Sequence, residues 1–266
     1  MLFVMVLCCS SAFPQNRDTI FTYNEMIICK IKEVADENVK FSYPDEDILV
    51  SINKNRIKNI SYSSGRKEVF VESTGYKEIK GWEDWEKVLT TNIDDEVDGL
   101  YKLGDVSSKV KAGTVLANLN KIKNKAIRKI KIRAAMIGAN VVYLSSDHTK
   151  GHHYEPWSDD CTETAEVLLT GVAYSNRTLN IEEFEKVVKC RNNFRLKKIV
   201  QMPFNRKRPT ILSGKMRPVN LSNYTIEGFH VFVDFEKEKY RVISCDLNEI
   251  IIMRQGKRRT YNYILR

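Results

Sequence analysis

The feature that most constrains this chain is one continuous stretch, residues 118–144, "NLNKIKNKAIRKIKIRAAMIGANVVYL". Leu119, Ile122, Ala126, Ile130 and Ile137 recur at helical spacing, with Ile127 and Ala134 beside them. That is the stripe of a helix with one face on an apolar partner. Asn118 stands where an N-cap belongs and Gly138 where a left-handed stop belongs. The apolar "VVYL" that follows reads as a buried strand. Lys121, Lys123, Lys125, Arg128, Lys129, Lys131 and Arg133 fill the remaining arc. Two readings of these cations compete. Helix 121–133 grips nucleic acid or another polyanion, or the cations are the solvated face of a helix lying on a sheet. The second needs nothing beyond the packing itself.

Strand patterns flank this helix on both sides. Between residues 17 and 74 five short runs, "TIFTY", "EMIICKIKEV", "NVKFSY", "DILVSI" and "RKEVFV", are separated by turn-formers such as Pro44-Asp45 and Ser64-Gly65. Ile27, Cys29 and Ile31 alternate, as do Ile48, Val50 and Ile52. One buried face on several short antiparallel strands predicts a small barrel of the SH3 or Sm kind. Residues 75–97 read as a linker in which Trp82 and Trp85 either cover a seam or face a sugar or base. Beyond a helical connector, residues 177–194 with "NIEEFEKVVK", the strand-like text resumes. "LKKIVQMPF", "TIEGFHVFVDF", "KYRVISCDL", "EIIIMRQG" and "RRTYNYILR" predict a β-rich module over 195–266. Between the first two lies "NRKRPTILSGKMRP", basic and rich in turn-formers.

Residues 1–16, "MLFVMVLCCSSAFPQN", carry no charge and hold an apolar run too short to span a bilayer. They read as a signal peptide cleaved near Ala12, so the expected location is periplasmic or secreted. The residues before Cys8 and Cys9 lack the small side chain that lipidation normally wants. Cys29, Cys161, Cys190 and Cys245 remain, enough for two bridges in any of three connectivities. The 43 basic and 34 acidic residues give a net charge of +9, which favours anionic surroundings without choosing among them. An anionic envelope surface satisfies that charge, whereas an export signal argues against nucleic acid.

Candidate chemistry concentrates in the loop "SSDHTKGHHYEPWSDDCTE". His148, His152, His153, Asp160 and Cys161 combine imidazole, carboxylate and thiolate, the ligand set of zinc or copper. No pair has the spacing of a known site, and a polar loop collects such residues by composition alone. The acidic pairs Asp94-Asp95 and Asp159-Asp160 read as solvated turns, since neighbours on an extended chain point apart. Neither a nucleophile with its base, a phosphate-binding glycine loop nor a helix-borne metal motif occurs, so a non-enzymatic protein without a cofactor is expected.

Three segments together, "GLYKLGDVSS", "NKAIRKIKIRAAMIGANVVYL" and "TGVAY", resemble the outer-membrane stress-sensing lipoprotein of the Rcs phosphorelay and its uncharacterised periplasmic relatives. The resemblance covers residues 98–176. It implies a strand, a helix ending in "GAN", then two strands, and a sensing module of the cell envelope. The plan "DTI…KIKEV…VKFSYP…NRIKNISYSSGRKEVF" of residues 17–74 resembles small β modules of uncharacterised secreted bacterial proteins. The expected architecture is therefore α+β. A barrel-like β module (17–74) comes first, then a central α/β module with one main helix on a sheet (98–176) and a β-rich module (195–266). The expected function is an exported binding or sensing protein of the envelope whose partner is an unidentified envelope component or protein. The alternatives are a periplasmic metal-binding protein using loop 147–163 and a nucleic-acid-binding protein using helix 121–133.

Overall fold

The computed structural model describes residues 17–70, 75–113, 118–151, 164–191, 193–204, 206, 208–256 and 259–266. The signal-peptide reading of residues 1–16 lies outside the described residues. The fold is β-rich, and the chain divides into two compact units, residues 1–70 and 71–266.

In the first unit β1 (Asp18–Thr22), β2 (Met26–Val34), β3 (Asn38–Ser42) and β4 (Val50–Asn53) form an antiparallel meander. A 3-10 turn at Lys54–Arg56 then leads into β5 (Ile57–Ser61), which returns to pair with β1, and β6 (Lys67–Val69) adds at its side. The sheet order is β4-β3-β2-β1-β5-β6. Ile20, Ile27, Cys29, Val39, Phe41, Ile52, Ile57 and Ile60 are its core. The sequence reading names five strands and misses β5, because Ile57 and Ile60 are three apart where a strand alternates by two. A bulge explains both inward residues: Phe21 pairs Asn59 and Thr22 pairs Ile57, so Lys58 is the extra residue.

The second unit stacks in layers. Its four-stranded sheet has the order β7-β9-β10-β8, built from β7 (Leu89–Thr91), β8 (Tyr101–Lys111), β9 (Val141–Lys150) and β10 (Glu166–Ser175). β7 runs parallel to β9 and comes from the stretch read as a linker. Helix α1 (Leu119–Met136) lies on this sheet through Ile122, Ala126, Ile130 and Ala134. Asn118 Oδ1 accepts from the Lys121 amide at 3.2 Å, the N-cap that the sequence predicts. Gly138 ends the helix with φ of +81°, a conformation that costs a side-chain-bearing residue. In β10 Gly171 has a different reason: a Cβ there would sit 2.3 Å from the Tyr143 carbonyl oxygen of β9.

A second apolar stripe on α1, Ile132 and Met136, packs with Val200, Met202, Ile251 and Ile264 of a seven-stranded sheet. The order of that sheet is β12-β11-β17-β16-β15-β14-β13. Its strands are β11 (Asn193–Pro203), β12 (Thr210–Asn220), β13 (Tyr224–Glu227), β14 (His230–Phe235), β15 (Glu238–Cys245), β16 (Ile250–Gly256) and β17 (Arg259–Leu265). Helix α2 (Ile181–Cys190), capped by Asn180 Oδ1 at 3.1 Å, covers the opposite face through Phe184, Val187 and Val188. The run Ile250, Ile251, Ile252, Met253 is apolar throughout because β16 is buried on both faces. The basic segment read as rich in turn-formers is largely the edge strand β12. Pro218 is tolerated there because an edge strand has one unpaired side. Lys215 and Met216 adopt φ of 53° and 51° in a bulge opposite β11. Among the described residues no helix is long and apolar enough to cross a membrane.

Candidate anion-binding cleft

The seven cations of α1 do not form one solvated face, which corrects the sequence reading. Lys129 is 1 % exposed and Arg133 is also buried. Arg128 lies over the Trp85 ring at 4.7 Å, and Lys123 pairs with Asp147 at 2.7 Å. The buried cations close a sheet edge. β8 is the outer strand of its sheet, and its alternate carbonyls accept from side chains of neighbouring layers. Arg241 Nη1 donates to Leu103 O at 2.9 Å, Gln255 Nε2 to Asp105 O at 3.4 Å, Arg133 Nη1 to Ser107 O at 2.9 Å and Lys129 Nζ to Lys109 O at 2.9 Å. Lys129 Nζ also donates to Phe204 O, and the Phe204 ring lies under both Lys129 and Arg133 at 5.4 and 5.2 Å. Burial, with the Arg133 charge added, pulls the Lys129 ammonium down to about 8, and burial pulls Arg241 down to about 10. Arg241 Nη2 further donates to Ile137 O at 2.8 Å and Asn262 Nδ2 to Met136 O at 2.8 Å, which satisfies carbonyls at the end of α1. Lys129, Arg133 and Arg241 thus serve the fold, while Lys121 and Lys125 of α1 are exposed.

A separate pair of exposed cations, Arg206 and Arg259, lies at one end of the seven-stranded sheet. β11 is flanked there by β12 and β17, with Gln201 opposite both Thr210 and Tyr261, and Pro203 opposite Arg259. Gln201, Pro203, Arg206, Thr210 and Arg259 line a cleft of about 250 Å3. With its amide oxygen turned inward, Gln201 accepts from Arg259 Nη1 at 2.8 Å and Nε at 3.2 Å. That holds the guanidinium in place by its Nε and Nη1 edge. Arg206 Nη1 donates to Thr210 Oγ1 at 3.3 Å. Among the described residues no carboxylate lines the cleft, and none forms an ion pair with Arg206 or Arg259. Two guanidiniums with no counter-ion among the described residues suit a phosphate, sulfate or carboxylate group. The volume falls below the ~300–1,000 Å3 of drug-sized pockets, so the cleft takes a head group and not a whole cofactor.

Arg206 and Thr210 belong to the basic segment that the sequence analysis singles out. Gln201 and Arg259 were missed, and the only signal for them was the second basic turn, "GKRRT", whose nearness depends on β11 pairing β17. Of the metal candidates, His148 is described and sits on β9, opposite Leu168 of β10. This part of the predicted loop is therefore strand. His152, His153, Asp160 and Cys161 lie outside the described residues. Among the described residues no group of three or more His, Cys, Asp or Glu side chains could hold an ion. Cys29, Cys190 and Cys245 are free thiols, and burial pushes Cys29 up to about 11 and Cys245 up to about 12. Such thiols are poor nucleophiles. Trp82 and Trp85 are partly buried and pack against the cores that sandwich α1. Compared with known proteins, the chain matches no family model, no curated protein and no solved structure.

Proposed function

We propose that this chain is an exported, non-enzymatic binding protein of the cell envelope that holds an anionic group in the cleft between Arg206 and Arg259. The observation that carries the reading is a pair of arginines oriented by Thr210 and Gln201 with no carboxylate beside them among the described residues. The net charge of +9 and the uncharged apolar N-terminus support an anionic partner and export. The resemblance of residues 98–176 to an envelope stress sensor supports a sensing role for the same unit. The SH3 or Sm reading of the first unit draws support from the return of β5 to β1 and from the 3-10 turn between β4 and β5.

Titration calorimetry of the full chain with inorganic phosphate, pyrophosphate and heparin tests the reading. Replacing both Arg206 and Arg259 by Gln removes charge-assisted hydrogen bonds that contribute about 1.5–3 kcal/mol each. Binding should then weaken at least ~10-fold. Equal affinity in the double variant, or no binding of any of the three anions to the native protein, would discard the cleft.

A further inference from the structure

The strand register of the first unit builds a second surface, independent of the cleft. Met26 of β2 pairs Phe21 of β1, Phe21 pairs Asn59 of β5, and Asn59 pairs Val69 of β6. One row thus crosses four strands on the face away from the core. The next row on the same face runs Ile28, Thr19, Ser61, Lys67. Met26 is 58 %, Ile28 43 % and Val69 61 % exposed, although the partners of the same strands, Ile27, Cys29 and Ile60, are buried. Along β2 the outward positions continue as Lys30, Lys32 and, across a bulge, Glu33, which pairs with Lys40 of β3 at 2.8 Å. Neither row carries a carboxylate, and Glu25 stands beside Met26 in the turn. The face therefore grades from apolar side chains at one end to charged ones at the other, where Lys30, Lys32 and Lys40 outnumber Glu33.

We infer that this face docks on an anionic lipid surface. Apolar side chains on a sheet face reach only into the boundary between headgroups and acyl chains. Lysines next to them have stems long enough to place their ammonium groups among lipid phosphates. Charge decides between occupants. A second copy seated face to face would bring Lys30, Lys32 and Lys67 against like charge, whereas anionic headgroups neutralise them. The inference goes beyond the cleft, which lies in the other unit and takes a single anionic group.

Flotation of the full chain with phosphatidylcholine vesicles, with and without phosphatidylglycerol, tests it. The protein is expected to float with the phosphatidylglycerol vesicles and to be released by salt. Replacing Met26, Ile28 and Val69 together by Ser should lower the bound fraction several-fold. Replacing Lys30, Lys32 and Lys67 by Gln should abolish the preference for phosphatidylglycerol. All six side chains are outside the core, and unchanged melting of each variant shows that the fold is intact. If the serine variant unfolds, Ile28→Ser alone should still lower the bound fraction. Replacing Arg206 and Arg259 by Gln should leave flotation unchanged, so failure of the cleft reading and failure of this one are separable. Three outcomes overturn the inference: no flotation of the native protein, flotation that survives the serine variant, or a solution dimer that the serine variant converts to a monomer.

Discussion

Lys129 and Ile132 are three residues apart on one helix, and neither residue type announces where it ends up. An ammonium 1 % exposed is tolerable because two carbonyls accept from it and an aromatic ring lies beneath it. Burial still disfavours its charge, so its pKa drops from 10.5 to about 8. Between those values the unfolded chain holds a proton that the native protein has lost, so this group makes stability rise with pH from about 8 to about 10.5. Below about 8 the penalty for charging it is fully present. Denaturant midpoints at both ends of that window should show the rise in the native protein. The Lys129→Met variant, which shares every other titrating group, should lack it. An equal rise in both would mean that Lys129 titrates at its ordinary value.

At the scale of elements, α1 is a helix with two apolar stripes and a narrow polar arc. The stripe through Ile130 is legible from spacing because its members lie three and four apart. Ile132 and Met136 also lie four apart, but two residues among cations do not reveal a second sheet. Ile130→Ala and Ile132→Ala should each cost about 2–5 kcal/mol, while the exposed Lys125→Gln should change stability by less than ~0.5 kcal/mol. Urea unfolding measures all three, and a near-neutral Ile132→Ala would refute the second stripe. β5 and β12 were missed as strands for one shared reason. Each contains a bulge, and a bulge breaks the alternation of two by which a strand is recognised. β16 was legible as a strand, but its burial on both faces follows only from the layers around it.

Over the whole molecule, cores and not sequence segments define what unfolds together. The central and C-terminal modules expected from the sequence share α1, whose two stripes belong to different sheets, and Met253 of the second sheet joins the core of the first. The first unit has its own core around Ile20 and Phe41. Calorimetry should therefore give two transitions. Ile132→Ala should lower one of them and Ile20→Ala the other. A variant in α1 that splits the larger transition into two would show that its sheets unfold separately.

Local chemistry sufficed for several features of this protein. Asn118 and Gly138 mark the limits of α1, and the alternation in β2 marks its buried face. Those signals act over a few residues, where side-chain geometry and backbone preference decide the outcome. Three results depended on contacts between distant segments. Arg206 meets Arg259 because β11 pairs β17, Lys129 is buried because β8 needs an edge cap, and Met26 aligns with Val69 because β5 returns to β1. Pairing between such distant segments is set by which sheet closes best around the core, a property of the assembled layers that no single stretch encodes.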